Sequence, residues 1–329
     1  MKTKKFFMLM VALFTLAACG DGGSDDVGGG TEPQPQSDPN PPSTNVNNNK
    51  NTTGPVEAQS RLEFPQLKGG NSIVVVHRAV LNKNTKEEGV NYCVEWDTEL
   101  NSQRWSCYQL YSSINYHSTY KVVRYSAPNN GTLLPDCQYP NDPDLPVQYR
   151  WAEDPYKYSG YDHGHICPSA DRQRASECNY QTFFITNMQP QYNKFNSGLW
   201  QKMEEDVRNW VRLGDTLYVC KGGTIDNPDN ILEYVNQSSH QSTRVNRNHI
   251  PVPRFFYVAV VCRKGDTWNG MAYWAPQYNE DHSNDNRRGY AITIDRLEEL
   301  TGIDFFCNLP DYIEDDVEKT IVPNFWGLK

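Results

Sequence analysis

The positions of apolar and polar residues divide the chain into a short apolar leader, a polar stretch and a long part in which apolar runs alternate with turn residues. In the long part, runs rich in β-branched and aromatic residues are bounded by Asn, Gly or Ser, which is typical of strands. The predicted strands are Ile73–Val76, Tyr92–Trp96, Trp105–Leu110, Tyr120–Tyr125, Thr216–Cys220, Phe255–Cys262, Gly270–Trp274 and Tyr290–Ile294. The run from 256 to 261 is almost entirely apolar, as expected of a strand covered on both faces.

Two segments have helical spacing instead. Leu199–Leu213 places apolar residues three and four positions apart, with Ser197 available as a cap and Gly214 just after the end. Asp295–Thr301 is the second predicted helix, with its aspartate as the cap and Gly302 as the stop. The chain has no internal repeat of the length found in solenoid proteins. One folded domain is therefore the simplest organisation.

The leader, residues 1–18, resembles a bacterial lipoprotein signal. Three lysines precede an apolar stretch that ends in Leu16-Ala17-Ala18-Cys19. The resemblance implies cleavage before Cys19, lipid attachment to its thiol, and anchoring to a membrane without spanning it. An ordinary secretory signal with a coincidental cysteine is the competing interpretation. Gly20 takes the place of the aspartate that favours inner-membrane retention, so the outer membrane is expected, on either its periplasmic or its outer face.

Residues 19–66 are predicted to form a disordered tether, because so polar a composition cannot bury enough surface to offset the entropy of ordering. The folded domain is expected to span 67–329. Within it, residues 125–159 carry Pro, Asn, Asp and Gly at turn spacing, which predicts a long irregular segment over the surface.

The formal net charge of −9 limits the kinds of partner. Proteins that bind nucleic acid chiefly through charge are usually basic, so the acidity argues against tight binding of that kind. A local basic cluster could still guide a phosphate backbone into a cleft, although ordinary solvated surface explains it equally well. The cluster consists of Arg172, Arg174, Lys194, Lys202, Arg208 and Arg212.

Eight cysteines follow Cys19, and an exported chain meets an oxidising compartment, so disulfides are expected. Their pairing cannot be deduced from the sequence. The two pairs favoured here are Cys167 with Cys178, on chain proximity, and Cys93 with Cys107, on adjacent predicted strands. Structural zinc is the weaker alternative, because no Cys-x-x-Cys or His-x-x-x-His pair is present.

One constellation carries recognisable chemistry: Asp162-His163-Gly164-His165, followed by Asn187, Asn196 and Glu204. Phosphodiester hydrolysis needs a base that activates water and positive charge near the phosphate. His165 suits the base, since imidazole accepts a proton near neutral pH. The eight-residue spacing of Asn196 and Glu204 brings them within about 80° of each other on a helix. An amide oxygen can bind Mg²⁺ while a carboxylate holds one of the waters that the ion retains.

These motifs resemble the DNA/RNA non-specific endonuclease family, whose pattern is Asp-Arg-Gly-His, then Asn-x-x-Pro-Gln, then Asn-x-x-x-Trp-x-x-x-Glu. The chain reads Asp162-His163-Gly164-His165, Asn187-Met188-Gln189-Pro190-Gln191 and Asn196-Ser197-Gly198-Leu199-Trp200-Gln201-Lys202-Met203-Glu204. The resemblance covers about residues 70 to 315. It implies an α+β fold of the ββα-metal nuclease type, with a mostly antiparallel central sheet flanked by helices.

The resemblance also implies roles for particular residues. His165 would be the general base, Asn196 the direct metal ligand, Glu204 the residue that orients a water of the metal, Asn187 a neighbour of the phosphate or a support for the histidine, and Asp162 an orienting hydrogen-bond partner. The implied cofactor is magnesium, with manganese possible as a substitute. The implied substrates are DNA and RNA, cleaved to leave 5′-phosphate and 3′-hydroxyl ends.

Two departures from the family pattern concern phosphate contacts. His163 stands where the family has an arginine, and it is a candidate for substrate binding. Cys137 stands where a second arginine would stabilise the phosphate, with Arg150 and Arg124 as the two candidates to replace it. An active endonuclease is the leading interpretation. A catalytically weakened nucleic-acid-binding lipoprotein and a lipid-anchored binding or structural protein are the alternatives, and the oligomeric state stays open.

Overall fold

The computed structural model describes most of the chain outside its N-terminal region. The described residues are 56–82, 85–111, 122–127, 137–236 and 249–328. The predicted leader, Cys19 and the tether up to residue 55 lie outside these ranges, as does the start of the strand predicted over 120–125. None of the helices in the described ranges is long and apolar enough to cross a membrane.

The described part of the chain contains strands of up to 11 residues and α-helices of up to 10 residues. The strands are β1 Ser72–Asn82, β2 Glu87–Asp97, β3 Ser102–Leu110, β4 Asp162–His165, β5 Met188–Gln191, β6 Thr216–Gly223, β7 Ile231–Asn236, β8 His249–Pro253, β9 Phe255–Lys264, β10 Thr267–Pro276 and β11 Ala291–Ile292. The helices are α1 Val56–Gln59, α2 Ser176–Gln181, α3 Gln201–Trp210, α4 Ile294–Thr301, α5 Asp311–Lys319 and α6 Pro323–Trp326.

A seven-stranded antiparallel sheet forms the centre, in the order β1-β2-β3-β6-β9-β10-β11. Two small antiparallel ribbons, β4-β5 and β7-β8, lie outside it. The predicted α+β class with a mostly antiparallel central sheet is confirmed. Most of the predicted strands are present in longer form, but residues 122–125 are not in a strand.

The central sheet is covered on both faces, and β9 shows how. Phe256, Val258 and Val260 belong to a core that includes Met203 and Val207 of α3. The intervening side chains of β9 face a second core, which contains buried residues of α4 and α5. Successive side chains of a strand point to opposite faces. The apolar run from 256 to 261 is therefore buried on both faces, as its composition predicts.

The folded domain begins before residue 67. Phe64 is fully buried in the second core, and its ring packs edge-on against Trp105 with centroids 5.5 Å apart. The backbone N–H of Gln66 also donates to the carbonyl of Asp304 at 2.7 Å. The predicted tether boundary at 66 is thus too late. Polar residues dominate the composition of this stretch, but a few of its apolar side chains occupy core positions.

The predicted helix caps need correction. Helical turns begin at Asn193 and continue into a π-helical segment, Phe195–Trp200, that is interrupted at Gly198 and runs into α3. Ser197 does not cap α3; its hydroxyl donates to the carbonyl of Asn193 at 2.7 Å. Thr293 caps α4 in place of the predicted aspartate, since its Oγ1 accepts from the N–H of Arg296. Gly302 ends α4 in the left-handed conformation, as predicted.

The eight cysteines of the described residues are all buried free thiols, so neither predicted disulfide is present. Cys93 does lie opposite Cys107 on β2 and β3, as predicted. Cys167 belongs to the core beneath α3, whereas Cys178 packs in a separate small cluster, which separates the other predicted pair. Strand pairing and burial, rather than disulfides, hold these segments in place.

Candidate active site

The ribbon β4-β5 and the helix that follows it make a ββα unit. His165 pairs with Met188, and Gly164 pairs with Gln189. A β-carbon on Gly164 would lie 2.2 Å from Cδ of the buried Gln191, so only glycine permits this approach of the two strands. The close pairing fixes His165 at the end of β4, facing the start of the helical segment.

A cleft of about 280 Å³ opens between this ribbon and α3. Its walls include Arg124, His163, His165, Asn196 and Glu204, all of them predicted site residues. These residues come from a loop, a strand and a helix, and Arg124 and Glu204 are 80 positions apart in the chain. They therefore share one surface. The arrangement can place a base, oxygen ligands and a cationic side chain around a single substrate atom.

His165 is held with one ring nitrogen free. The ring forms a hydrogen bond with the backbone of His163, and this bond favours the protonated form of the ring. Nε2 has no hydrogen-bond partner. Nδ1 is therefore the nitrogen that donates, and Nε2 is the acceptor. Burial, with Arg124 and His163 nearby, lowers the pKa of His165 to about 3. The imidazole is thus neutral at pH 7, with a lone pair available.

Packing fixes the orientation of this imidazole. The ring meets Phe183 edge-on, with centroids 4.9 Å apart. The indole N–H of Trp200 donates to the backbone carbonyl of His165 at 3.1 Å. Trp200 is the tryptophan of the third sequence motif, and its buried ring ties that helical segment to β4.

Asp162 orients the amide of Asn196. Its Oδ2 accepts hydrogen bonds from Nδ2 of Asn196 at 2.9 Å and from Nδ2 of Asn193 at 3.0 Å. With its nitrogen committed to Asp162, Asn196 turns its amide oxygen the other way, where it can serve as a ligand. An amide oxygen and the nearby Glu204 carboxylate are hard oxygen donors, which suits magnesium or manganese.

Two cationic side chains hold Glu204. Nζ of Lys221 lies 3.3 Å from Oε1, and a guanidinium nitrogen of Arg208 lies 3.9 Å from Oε2. Burial raises the pKa of Glu204, and Lys221 and then Arg208 oppose that shift. Arg208 was only one member of the predicted basic cluster, and Lys221 was not predicted. A lysine within an otherwise buried strand is the feature that could have indicated Lys221.

Asn187 lies behind the cleft. It is fully buried, donates to the carbonyls of Cys167 and Thr182 at 2.8 Å each, and accepts from the N–H of Cys167 at 2.9 Å. These bonds tie the residues after β4 to the segment before β5. Of the two roles that the resemblance implied for Asn187, its position fits support of His165 rather than contact with phosphate.

His163 lies on the rim of the cleft in a fixed orientation. Its ring stacks on Tyr139, with centroids 3.7 Å apart and an interplanar angle of 3°. Its Nε2 lies 2.8 Å from Oδ1 of Asp154. Both partners come from the irregular segment before β4. Asp154 was not predicted, because no spacing relates it to the motif.

Arg124 is the arginine candidate that reaches the cleft. Its guanidinium lies over the ring of Phe183, 4.8 Å from the centroid, and it contributes to lowering the pKa of His165. Arg150, the other candidate, does not line the cleft. It donates instead to the carbonyls of Leu145 at 2.7 Å and Pro143 at 2.5 Å, so its predicted catalytic position is corrected.

Arg172 does not reach the cleft either. It is fully buried, donates to the carbonyl of Gln109 at 3.2 Å, and stacks over the ring of Tyr108. A side chain buried in this way cannot contact a nucleic acid. Its predicted role in substrate binding is therefore replaced by a structural one.

Comparisons with known proteins agree with the fold. With the ribbon β4-β5 followed by α3, the domain has a fold of the ββα-metal type. Residues 76–312 match the family model described as DNA/RNA non-specific endonuclease. Because the match covers more than half of the chain, this chain belongs to that family.

Similar curated proteins include a nuclease of Nostoc sp., 31% identical over 175 residues, which are 50% of this chain and 58% of the relative. Human mitochondrial endonuclease G is 25% identical over 175 residues, or 53% of this chain and 58% of the relative. The chain thus spans only about half of the length of these relatives. A chain in the crystal structure of the EndoG/EndoGI complex has a TM-score of 0.55 at 20% identity, covering 68% of this chain and 85% of that one, which shows a shared fold.

Proposed function

We propose that this protein is a metal-dependent endonuclease that hydrolyses phosphodiester bonds in both DNA and RNA. Family membership supports the class of reaction. The observation that carries the proposal is the free Nε2 of a neutral His165 in the cleft that also contains Asn196, Glu204 and Arg124. An unprotonated base, oxygen ligands and positive charge are the three requirements of this hydrolysis.

His165 acts as the general base. Nδ1 stays bonded to the backbone of His163, so Nε2 takes the proton from the attacking water. The oxygen of that water forms a new bond to phosphorus, the bond from phosphorus to the 3′-oxygen breaks, and the departing oxygen takes a proton from solvent. The products are a 5′-phosphate and a 3′-hydroxyl. Phe183 packs against the imidazole, and Trp200 holds the backbone of His165 in place.

Asn196 would hold magnesium, or manganese in its place, through the amide oxygen that Asp162 leaves free. When bound, the cation supplies positive charge that polarises the scissile phosphate. Lys221 and Arg208 stabilise Glu204 in its charged form, so that its carboxylate accepts hydrogen bonds from water in the cleft. Arg124 lies where its guanidinium can contact phosphate oxygens.

The test is digestion of plasmid DNA and of RNA by the purified protein, with magnesium and with excess chelator. We expect both substrates to be cut only with the metal, and ligase to accept the product ends because they carry 5′-phosphates. His165→Ala should lower kcat/KM by about 10²- to 10⁴-fold. His282→Ala is the matched control, because His282 pairs with Asp285 and does not line the cleft.

The alternative is a weakened relative that binds nucleic acid without cutting it, and His163 in place of the family arginine is the observation that favours it. Intact DNA and RNA after incubation with magnesium would contradict the endonuclease proposal. Retention of the uncut nucleic acid in a gel-shift assay would then support the alternative. Failure to retain it would leave a binding or structural role for the fold.

We also propose that the protein is exported and held at the outer membrane by lipid on Cys19. The support is the motif Leu16-Ala17-Ala18-Cys19, which lies outside the described residues. Cys19→Ser should release the protein from the membrane fraction. Protease treatment of intact cells would distinguish a periplasmic from an outer face. Unchanged membrane association of the variant would contradict the lipid anchor.

A further inference from the structure

We propose that the protein holds a second divalent cation, calcium rather than magnesium, between α4 and α5, with Asp295, Glu298 and Glu318 as ligands. This site is distinct from the cleft and does not depend on the proposed nuclease reaction. It lies on the opposite face of the central sheet, since α4 and α5 contribute to one core and α3 to the other.

The three carboxylates converge on one point. Each offers an oxygen atom, and these oxygens lie within 4.8 Å of one another. Asp295 and Glu298 are one helical turn apart on α4, and Glu318 is the penultimate residue of α5. Calcium binds oxygen at about 2.3–2.6 Å, so two of its ligands can be up to about 5 Å apart. The observed spacing fits oxygens around a single ion.

The environment of Glu318 supports a bound cation. Its residue surface is only 7% exposed, and its Oε1 is buried without a hydrogen-bond partner. Among the described residues, none of the three carboxylates forms an ion pair with a lysine or arginine; Glu298 accepts one hydrogen bond, from the N–H of Phe305 at 2.7 Å. A buried carboxylate without a positive partner is costly, so a cation would relieve this arrangement.

Neighbouring charges increase the need for a cation. Asp304 and Glu314 add to the negative charge around Glu318. Glu318 also lies in the last turn of α5, where the helix dipole is negative and favours cations. A divalent ion would neutralise the cluster and join the two helices.

The ligand set favours calcium. Calcium accepts six to eight oxygen ligands in a flexible geometry, which carboxylates of unequal length from two helices can supply. Magnesium requires a near-ideal octahedron at shorter distances and keeps much of its water, so it suits a site with few protein ligands. The expected consequence of calcium binding is a more stable domain, with no direct effect on catalysis.

The test uses the full chain with Asn196→Ala, so that the proposed catalytic ligand does not contribute, after removal of metals with EDTA. Calorimetric titration with CaCl₂ should show one bound equivalent, and MgCl₂ should bind at least 10-fold more weakly. At a calcium concentration 100-fold above Kd, Tm should rise by roughly 5 °C. Glu318→Gln should abolish both signals and should raise Tm in EDTA, because it removes a buried repelling charge.

The matched control is Asp316→Asn, which makes the same charge change on the exposed side of α5 and should keep the calcium response. Glu298→Gln is the second variant, so that the test does not depend on one protein that fails to fold. Nuclease assays with magnesium should give the same kcat/KM for wild type and Glu318→Gln. No calcium binding by the parent, or an equal rise of Tm in Glu318→Gln, would overturn the proposal, whatever the nuclease assays show.

Discussion

Nζ of Lys221 lies 3.3 Å from Oε1 of Glu204, and the lysine reaches it from a fully buried position on β6. On its way it passes over the ring of Trp200, 4.3 Å from the centroid. A buried lysine is stable only with a partner. The pair therefore links the central sheet to α3 and favours the charged form of Glu204, against the effect of burial.

We predict that Lys221→Met lowers kcat/KM by about tenfold and moves the acidic limb of the pH–activity profile to higher pH. The reason is that Glu204 loses its nearest positive partner, so its pKa rises further. The measurement is the pH dependence of kcat/KM, with thermal unfolding to confirm folding. Lys202→Met is the control, since Lys202 pairs with Glu205 on the exposed side of α3, the helix that carries Glu204. Identical pH profiles for Lys221→Met and wild type would contradict this role.

A second prediction concerns Asp162, which fixes the amide of Asn196 at 2.9 Å. Asp162→Ala frees that amide to rotate and should raise the magnesium concentration for half-maximal activity by about 10- to 100-fold, the usual effect of removing a partner of a metal ligand. Activity at saturating magnesium should recover in large part. Asn193→Ala removes the other hydrogen bond to Asp162 and should change the magnesium dependence little. Equal shifts in both variants would argue against the orienting role.

The third prediction concerns the pH dependence of stability. His77 is fully buried, with Nε2 3.2 Å from Asp142 and Nδ1 3.5 Å from Asp144. Although burial alone would lower it, these carboxylates raise the pKa of His77 to about 9. The folded protein thus keeps a proton that the unfolded chain releases above a pKa of about 6.5. This stabilisation is fully present below pH 6.5 and is lost as the pH rises through 9.

Urea unfolding between pH 6 and pH 9.5 measures this effect. The free energy of unfolding should fall by up to about 1.4 kcal/mol per pH unit above pH 6.5 in the wild type. His77→Gln should lack this component and be less stable at pH 6, because Asp142 is then buried without its partner. His282→Gln is the control at a partly exposed ion pair. Parallel curves for wild type and His77→Gln would show that His77 is not the titrating group.

The sequence was sufficient to predict the motif, the family and the principal helix. Residue types at fixed spacing carry that information, and the structure does bring His165, Asn196 and Glu204 to one cleft. The strands β4 and β5 could not be predicted from periodicity. Each has only four residues, and Asp162-His163-Gly164-His165 contains no alternation of apolar and polar side chains.

Other features depend on contacts between distant segments, which spacing does not encode. Tyr139 and Asp154 reach His163 from an irregular segment without a regular pattern. Arg124 and Arg150 were equivalent candidates by sequence. They differ only because carbonyls near Arg150 bind its guanidinium, while Arg124 remains at the cleft.

The final prediction concerns the close approach of β4 and β5. Gln191 is fully buried and cannot move into solvent, so Gly164→Ala should destabilise the domain by about 1–3 kcal/mol through overpacking and should lower kcat by shifting His165. Adding Gln191→Ala should recover part of that loss, because the clashing atoms are then absent. Gly289→Ala is the control, since no heavy atom lies within 4 Å of its β-carbon position. Urea unfolding of the two single variants and the double variant gives the coupling free energy; a value of zero would mean that Gly164 is required for another reason.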